Sequence, residues 1–197
     1  YYILNYAKKK ENMNIEKQTL SFNLKKTINP EALINYGIVF DANGRESLKN
    51  EVVEERNEHL FGFTNHFDDY AQFTPFFALY GFELAGMKPR TDWKNRSAIL
   101  LKAQFVNLGL VYVLKTTLKK TRPDGTAFSF PSGHTANAFA GATMLAIEYG
   151  ENHRCVPYVS YAFASGIGVM RMANNKHYIS DVLFGAGLGI LSVKAAY

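Results

Sequence analysis

The chain has 197 residues, enough for one domain with a buried core. Its hydrophobic fraction of 47% and charged fraction of 20% are ordinary for a globular protein and exclude a disordered chain. The net charge is +5, and the basic residues are scattered apart from runs at 8–10 and 115–122. No pattern of basic residues interleaved with aromatics indicates a nucleic-acid-binding module. Cys155 is the single cysteine, which excludes an intrachain disulfide and a cysteine-based metal site.

The first 67 residues differ in character from the rest. Residues 1–30 are polar and rich in Lys and Asn, which favours a loosely attached leader. Residues 31–40 form an apolar patch that is too short to span a bilayer, and residues 46–66 place a ragged apolar face on a charged segment. We interpret 1–67 as a polar leader with a peripheral helix, and 68–197 as the core of a chain truncated at both ends.

Turn signals divide the core into helical segments. We expect helices at 69–87 with an interruption at Pro75, and at 95–119, 134–149, 157–172 and 180–197. Pro123 and the Asp-Gly pair that follows it end the second segment. The segments are apolar on most faces and rich in Ala and Gly, which indicates close helix packing. The sequence therefore predicts an all-α bundle, in character between a soluble and a membrane bundle.

Two cations precede the first turn of the core. Lys115 and Arg122 lie about two helical turns apart, so on a continuous helix they would project from one face. Arginine offers a planar fork that fits phosphate oxygens. The alternative is a solvated basic helix end, which is the more common role of such a pair taken alone.

The next polar stretch is Pro131-Ser132-Gly133-His134, in front of an apolar helix. Ser132 suits an N-cap and Gly133 permits close backbone approach. Free N–H groups at a helix start bind anions, and His134 in the first turn would stand beside such an anion. An ordinary capped helix start with an incidental histidine is the alternative.

The third stretch contains Arg171, His177 and Asp181. On a helix, the spacing of His177 and Asp181 places the carboxylate against the ring. The aspartate would fix the tautomer and leave the other ring nitrogen free as base or nucleophile. A surface His–Asp pair with a salt-bridging arginine is the alternative. Together, the three stretches supply three cations, a helix-terminal anion site and two histidines, which suits phosphoryl transfer. They contain neither a carboxylate cluster suited to Mg²⁺ nor a three-histidine zinc spacing, so we expect no metal.

The order Lys–six residues–Arg-Pro, Pro-Ser-Gly-His and Arg–five residues–His–three residues–Asp resembles the signature of the type 2 phosphatidic acid phosphatase superfamily. That superfamily also contains bacterial acid phosphatases and vanadium haloperoxidases. The resemblance covers residues 68–197 and implies a helical bundle with the active site at helix ends on one face. Met170 departs from the usual serine, and the link at 124–130 is short, which leaves less room for a substrate-covering loop.

The resemblance also implies roles. His177 is expected as the nucleophile, Asp181 as its orienting carboxylate, and His134 as the acid that protonates the leaving oxygen and then the base for water. The phosphate clamp would consist of Lys115, Arg122, Ser132, Gly133 and Arg171. No cofactor is expected, and vanadate should act as an inhibitor or transition-state mimic.

The function predicted from the sequence is hydrolysis of a phosphomonoester through a phosphohistidine. A lipid phosphate at a membrane of the bacterial cell envelope is the first choice, with the site facing the periplasm or the outside. A soluble acid phosphatase, a vanadate-dependent haloperoxidase and a non-catalytic anion- or lipid-binding bundle are the alternatives.

Several conspicuous residues receive no catalytic role. Three histidines lie outside the signature: His59, His66 and His153. Asp124 is interpreted as a turn residue, and Tyr178 could line the site or pack. For the aromatic group Phe73, Phe76, Phe77 and Phe82, core packing is preferred over contact with a lipid chain.

Overall fold

Helices form the regular structure throughout the residues that the computed structural model describes, 28–41 and 47–197. They are α1 (Pro30–Val39), α2 (Leu48–His59), α3 (Phe67–Ala71), α4 (Thr74–Leu84), α5 (Trp93–Leu118), α6 (Gly133–Tyr149), α7 (Cys155–Ala173) and α8 (Ile179–Ala196). The predicted all-α fold is confirmed. The predicted leader at 1–27 lies outside the described residues.

The core of the bundle is built around α6, which is buried along almost its whole length. Helices α4, α5, α7 and α8 pack against it. Small side chains on α6, among them Ala136, Ala138 and Ala142, are fully buried and let the neighbours approach closely. Helix α6 is therefore the central helix of the bundle, and its polar N-terminus lies at one end.

Two glycines of α8 bring its backbone unusually near to α6. A Cβ atom on Gly185 would lie 2.5 Å from the carbonyl oxygen of Ser132, and one on Gly189 would lie 2.1 Å from that of Ala136. Such distances are sterically forbidden to any residue with a Cβ atom, so this crossing depends on glycine. The crossing places the start of α8 directly beside the start of α6.

Helix α1 is packed tightly along α8. Gly37 lies against Phe184, and Gly187 lies against Pro30 and Ile34. The division of the chain at residue 67 stays a prediction, although α1 makes this close contact with a core helix.

Proline sets the break that the sequence predicts in the 69–87 segment. Pro75 stands in the first turn of α4, where a residue without an N–H group is tolerated, and α3 ends just before it.

Two helices of the described part are long and apolar enough to cross a membrane, α5 and α8. Helix α8 is mostly buried in the bundle, as a core helix of a soluble protein would be. Most of α5 is instead exposed, and it presents large apolar side chains outward, including Leu101, Phe105, Leu108 and Tyr112. An outward apolar surface of this size is typical of contact with lipid or with another protein.

Candidate active site

The three signature stretches come together at one end of the bundle, where α5 and α7 end and α6 and α8 begin. The backbone N–H of Ser132 donates to the carbonyl of Asp181 at 3.0 Å and joins the second stretch to the third. Lys176 donates to Asp124 at 2.8 Å and ties the loop of the first stretch to the α7–α8 connection. The expected location at helix ends on one face agrees with these contacts.

Lys115 and Arg122 are not on the same helix, contrary to the sequence-based argument. Helix α5 ends at Leu118 because Lys119 adopts a left-handed conformation with φ of 46°. Arg122 therefore lies in the following loop, where its backbone N–H donates to Thr126 at 2.7 Å. Lys115 is in the last turn of α5 and donates to the carbonyl of Phe128 at 2.7 Å. The loop after α5, rather than a shared helix face, brings Arg122 near to Lys115.

Asp124 is the turn residue that the sequence predicts. Its carboxylate accepts from the backbone N–H of Thr126 at 2.9 Å, and the pair with Lys176 holds its pKa at about 2 against the effect of burial. Asp124 therefore stays ionised and fixes the loop that carries Arg122.

The Pro-Ser-Gly-His stretch starts α6 as expected, with Ser132 as N-cap. Ser132 is fully buried, and its hydroxyl pairs with that of Thr135 at 2.8 Å instead of capping a backbone N–H. Gly133 packs against α5, since a Cβ atom there would lie 3.4 Å from Val111 and 3.9 Å from Cε of Lys115. The first N–H groups of α6 lack intrahelical acceptors, and the first of them belongs to Gly133, which lies near Lys115.

His177 and Asp181 are neighbours, although not through a shared helix. His177 precedes α8, whereas Asp181 lies in its first turn and caps it by accepting from the N–H of Tyr178 at 3.0 Å. The distance from His177 Nδ1 to Asp181 Oδ2 is 3.7 Å, slightly beyond hydrogen-bond range. Both side chains are buried, with 2% of His177 and none of Asp181 exposed. The expected His177–Asp181 pair is thus in close contact, and a small movement of either side chain would form the hydrogen bond.

Two residues that the sequence reasoning missed hold the Asp181 carboxylate. Lys120 donates to Oδ1 at 2.7 Å, and the Ser129 hydroxyl donates to Oδ2. Lys120 also pairs with Asp41, which follows α1, and lies over the ring of Tyr178 at 4.8 Å. Tyr178 accordingly packs beneath this cation. The charge of Asp181 is compensated before any substrate binds.

Arg171 is also engaged by carboxylates, which the sequence did not reveal. Its Nη1 donates to Asp68 at 2.6 Å and to Asp69 at 3.2 Å. Asn174 donates to Asp68 at 3.0 Å and exchanges two hydrogen bonds with the backbone of Asn65. The 65–69 segment is therefore fastened to the end of α7.

The second histidine of the site has a carboxylate partner as well. Nε2 of His134 lies 2.9 Å from Oδ1 of Asp69, and the other oxygen of Asp69 lies 3.2 Å from Nδ1 of His66. An ionised carboxylate only accepts, so both imidazoles donate to it. Burial opposes ionisation of Asp69, but the bonds from His66 and His134 lower its pKa. His66, for which the sequence predicts no role, thus contacts the site through Asp69.

The ligand atoms of Asp68, Asp69 and His134 lie within 4.8 Å of one another, a spacing that a metal ion could also use. Carboxylates from α3 thus join the site, whereas the signature stretches alone contain no such cluster. Arg171 donates to both carboxylates, so a guanidinium already provides a positive charge there.

Burial and the surrounding cations keep both catalytic candidates neutral more readily than free histidine. Burial is the main cause that lowers the pKa of His177 to about 4, aided by Lys115 and Arg171 and opposed by Asp181. Burial and Arg171 also lower the pKa of His134, against the effect of Asp69 and Asp68. A neutral His177 has the free lone pair that a nucleophile needs.

Three buried nitrogens of the site have no hydrogen-bond partner among the described residues: Nε of Arg122, Nε of Arg171 and Nδ1 of His177. Buried N–H groups are nearly always paired in folded proteins. Burial, together with the charge of Arg171, also lowers the pKa of Arg122. An anion placed between the two guanidinium groups would accept hydrogen bonds from the unpartnered Nε–H groups and would compensate the two positive charges.

The aromatic group 73–82 divides into two kinds of residue. Phe76 lies near Gly141 in the core, and Phe82 packs edge-on to Tyr149 with ring centroids 5.5 Å apart, as preferred from the sequence. Phe73 and Phe77 are instead exposed, Phe77 to 76%. Met170 lies next to Arg171 in α7, and its carbonyl accepts from the N–H of Asn174 at 2.8 Å.

Comparison with known proteins gives the family of the chain and relatives of known name. The family model described as "PAP2 superfamily" matches residues 96–197. A lipid A 1-phosphatase of Porphyromonas gingivalis is 37% identical over 77% of this chain and 34% of its own length. A phosphatidylglycerophosphatase B of Bacillus subtilis is 32% identical over 40% of this chain and 45% of its own length. The chain thus spans less than half of each of these relatives.

A solved structure shares the fold. The crystal structure of a transmembrane PAP2-type phosphatidylglycerolphosphate phosphatase from Bacillus subtilis superposes with a TM-score of 0.58 at 23% identity, over 85% of this chain and 94% of that chain.

Proposed function

Because the chain belongs to the PAP2 superfamily, we propose that it is a phosphatase that hydrolyses a phosphomonoester through a phosphohistidine formed on His177. The observation that carries the proposal is the pair of buried, unpartnered Nε atoms on Arg122 and Arg171, two cations close enough for the charge of Arg171 to lower the pKa of Arg122. A phosphoryl group would supply the missing acceptors, and the free N–H groups at the start of α6 would add further donors to its charged oxygens.

In the proposed reaction, Nε2 of His177 attacks phosphorus, while Nδ1 faces Asp181 and becomes its hydrogen-bond donor as positive charge develops. Arg122, Arg171, Lys115 and the N–H of Gly133 stabilise the charge on the equatorial oxygens. Ser132 can donate as well if Thr135 donates to it, since either hydroxyl of that pair can be the donor.

His134 completes the cycle in two steps. It gives a proton to the leaving oxygen as the P–O bond breaks, and then takes one from the water that attacks the phosphohistidine and releases His177. No step requires a metal ion, because the cations provide the charge that Mg²⁺ provides in other phosphotransferases. Metal independence is part of the proposal.

We propose a lipid phosphate as the substrate. The two curated relatives carry names that describe removal of phosphate from lipids. The outward apolar face of α5 fits association with a membrane, and the exposed Phe73 and Phe77 stand on α3–α4, next to the segment that contacts His134 and Arg171. The bacterial cell envelope, with the site outside the cytoplasm, is the proposed location.

The first test is phosphate release from lipid and soluble phosphomonoesters in excess EDTA, with the His177→Ala variant in parallel. We expect EDTA-resistant, vanadate-inhibited release that falls by at least about 1,000-fold in the variant, since removal of a nucleophile is among the costliest changes in an active site. Loss of activity in EDTA would reject metal independence and direct attention to Asp68, Asp69 and His134.

The control variant is His153→Ala, which removes a histidine outside the site and should keep wild-type activity. Full activity in His177→Ala would reject the phosphohistidine. Halide oxidation with added vanadate and peroxide, without phosphate release, would favour the haloperoxidase instead. Binding of lipid phosphate without turnover under any condition would favour a non-catalytic bundle.

A further inference from the structure

The acid–base histidine of the proposed reaction has a carboxylate partner of its own. Nε2 of His134 lies 2.9 Å from Asp69, a shorter contact than the 3.7 Å between His177 and Asp181. Asp69 is distant from His134 in sequence and belongs to none of the signature stretches. The site therefore contains two histidine–carboxylate pairs, one for each histidine.

The position of Asp69 is set by its surroundings and does not depend on His134. Its neighbour Asp68 is completely buried and bonded to Arg171 at 2.6 Å and to Asn174 at 3.0 Å. Asp69 itself accepts from Arg171 at 3.2 Å and from His66 at 3.2 Å. A carboxylate anchored in this way can impose an orientation on a partially exposed imidazole.

We propose that Asp69 is a positioning residue that binds the Nε2–H of His134 and thereby makes Nδ1 the atom that exchanges protons with substrate and water. This inference rests on the proposed phosphatase function. A ring nitrogen that donates to a fixed carboxylate keeps its proton in both charge states, so the other nitrogen alone titrates. Asp69 thus selects both the tautomer and the ring orientation of the acid.

The proton balance follows from this selection. In the first step, the P–O bond to the leaving group breaks as the bond from phosphorus to His177 forms, and the Nδ1 proton of His134 passes to the leaving oxygen. In the second step, Nδ1 accepts a proton from water as the water oxygen bonds to phosphorus and the P–N bond breaks. The Nε2 proton stays on His134, donated to the Asp69 carboxylate, in both steps, and water is the only co-reactant.

The charges around His134 give a direction for the effect of a substitution. Asp69 and Asp68 favour the imidazolium, Arg171 opposes it, and His66 shares Asp69 with it. Asp69→Asn preserves the shape and an acceptor for Nε2–H but removes a negative charge. The pKa of His134 should therefore fall in the variant, and the alkaline limb of the activity profile should move to lower pH.

The test compares kcat/KM for two soluble substrates, an alkyl phosphate and p-nitrophenyl phosphate. This constant reports only steps up to the first irreversible one, so it isolates phosphorylation of His177 from the water step. We expect Asp69→Asn to lower kcat/KM by about 10- to 100-fold for the alkyl phosphate, which needs protonation of its leaving oxygen. The loss for p-nitrophenyl phosphate, whose leaving group needs little protonation, should be only about threefold or less.

Three further variants separate positioning from a structural role. Glu55→Gln is the matched control, because Glu55 lies 3.5 Å from His59 in an exposed pair on α2, away from the site, and its pH profile should be that of the wild type. Asp69→Glu should recover part of the lost activity by restoring the charge. In a His134→Ala background, Asp69→Asn should cause no further loss, because a positioning residue has nothing left to position.

Equal losses on both substrates, with an unmoved alkaline limb, would overturn the inference and leave Asp69 as a structural residue. Additive losses in the double variant would overturn it as well. Either result is compatible with the proposed function, which is tested separately by phosphate release and by the His177→Ala variant. Thermal unfolding of each variant checks that the fold is intact.

Discussion

The two histidines of the site need opposite protonation states for the proposed reaction. His177 must be neutral to attack phosphorus, whereas His134 must be protonated to act as an acid. The pKa of His177 lies at about 4, and that of His134 is lowered from 6.5. Activity should therefore require a pH above about 4, the pKa of His177, and below the lowered pKa of His134.

We predict a bell-shaped dependence of kcat/KM on pH with an acidic maximum. The acid limb should fall near pH 4 as His177 becomes protonated, and the alkaline limb should fall below 6.5 as His134 loses its proton. The measurement is kcat/KM for a soluble phosphomonoester, corrected for ionisation of the substrate. A maximum on the alkaline side of 6.5 would contradict the assigned roles.

Residue spacing predicted the signature residues but not their partners. Lys115, Arg122 and His134 could be singled out because chemically distinctive residues stand at short, regular separations. Asp69 and Lys120 could not, because one is remote in sequence and the other is an ordinary member of a basic run. Their roles arise from hydrogen bonds that exist only after the helices have packed.

At the scale of the helix, the α6–α8 crossing is the contact that aligns the site. It joins the start of α6, with Ser132 and His134, to the start of α8, with Asp181. The sequence indicated close packing through its Gly and Ala content, and it predicted most helix boundaries within a few residues. It could not tell which glycines meet a backbone and which face open space, because that depends on the neighbouring helix.

We predict that Gly189→Ala destabilises the protein by about 3 kcal/mol or more, since overpacking a rigid backbone contact forces the two helices apart. The new Cβ atom would lie 2.1 Å from the carbonyl oxygen of Ala136. The matched control is Gly166→Ala in α7, where the Cβ atom meets nothing within 4 Å. There the higher helix propensity of alanine should leave stability unchanged or raise it by up to about 1 kcal/mol.

Unfolding of both variants, followed by circular dichroism in the same detergent or buffer, measures the difference. Equal stability of Gly189→Ala and Gly166→Ala would contradict the tight crossing.

At the scale of the molecule, Lys120 connects distant parts of the chain. It lies in the loop after α5 and pairs with Asp181 of α8 and with Asp41, which follows α1. Ser180 also donates to Asp41, at 3.1 Å. The carboxylate next to His177 is therefore part of a network that extends to the end of α1.

We predict that Lys120→Met lowers the free energy of unfolding by about 3 kcal/mol, the low end of the range for breaking a buried ion pair, because Asp41 remains partly solvated. The substitution leaves the buried Asp181 without its cation while keeping most of the side-chain volume. The control is Lys119→Met, at an exposed neighbouring position, where a change within about 0.5 kcal/mol is expected.

Denaturant unfolding compares the two variants. Equal stability would show that Ser129 and the N–H of Tyr178 suffice to hold Asp181.

The contacts of Arg171 have a consequence for the end of the proposed catalytic cycle. Asp68 and Asp69 hold its guanidinium before any phosphate arrives. An incoming anion must compete with these two carboxylates for Arg171. This competition lowers the affinity of the site for phosphate. In the proposed reaction, this competition for Arg171 would favour departure of inorganic phosphate and so limit inhibition by the product.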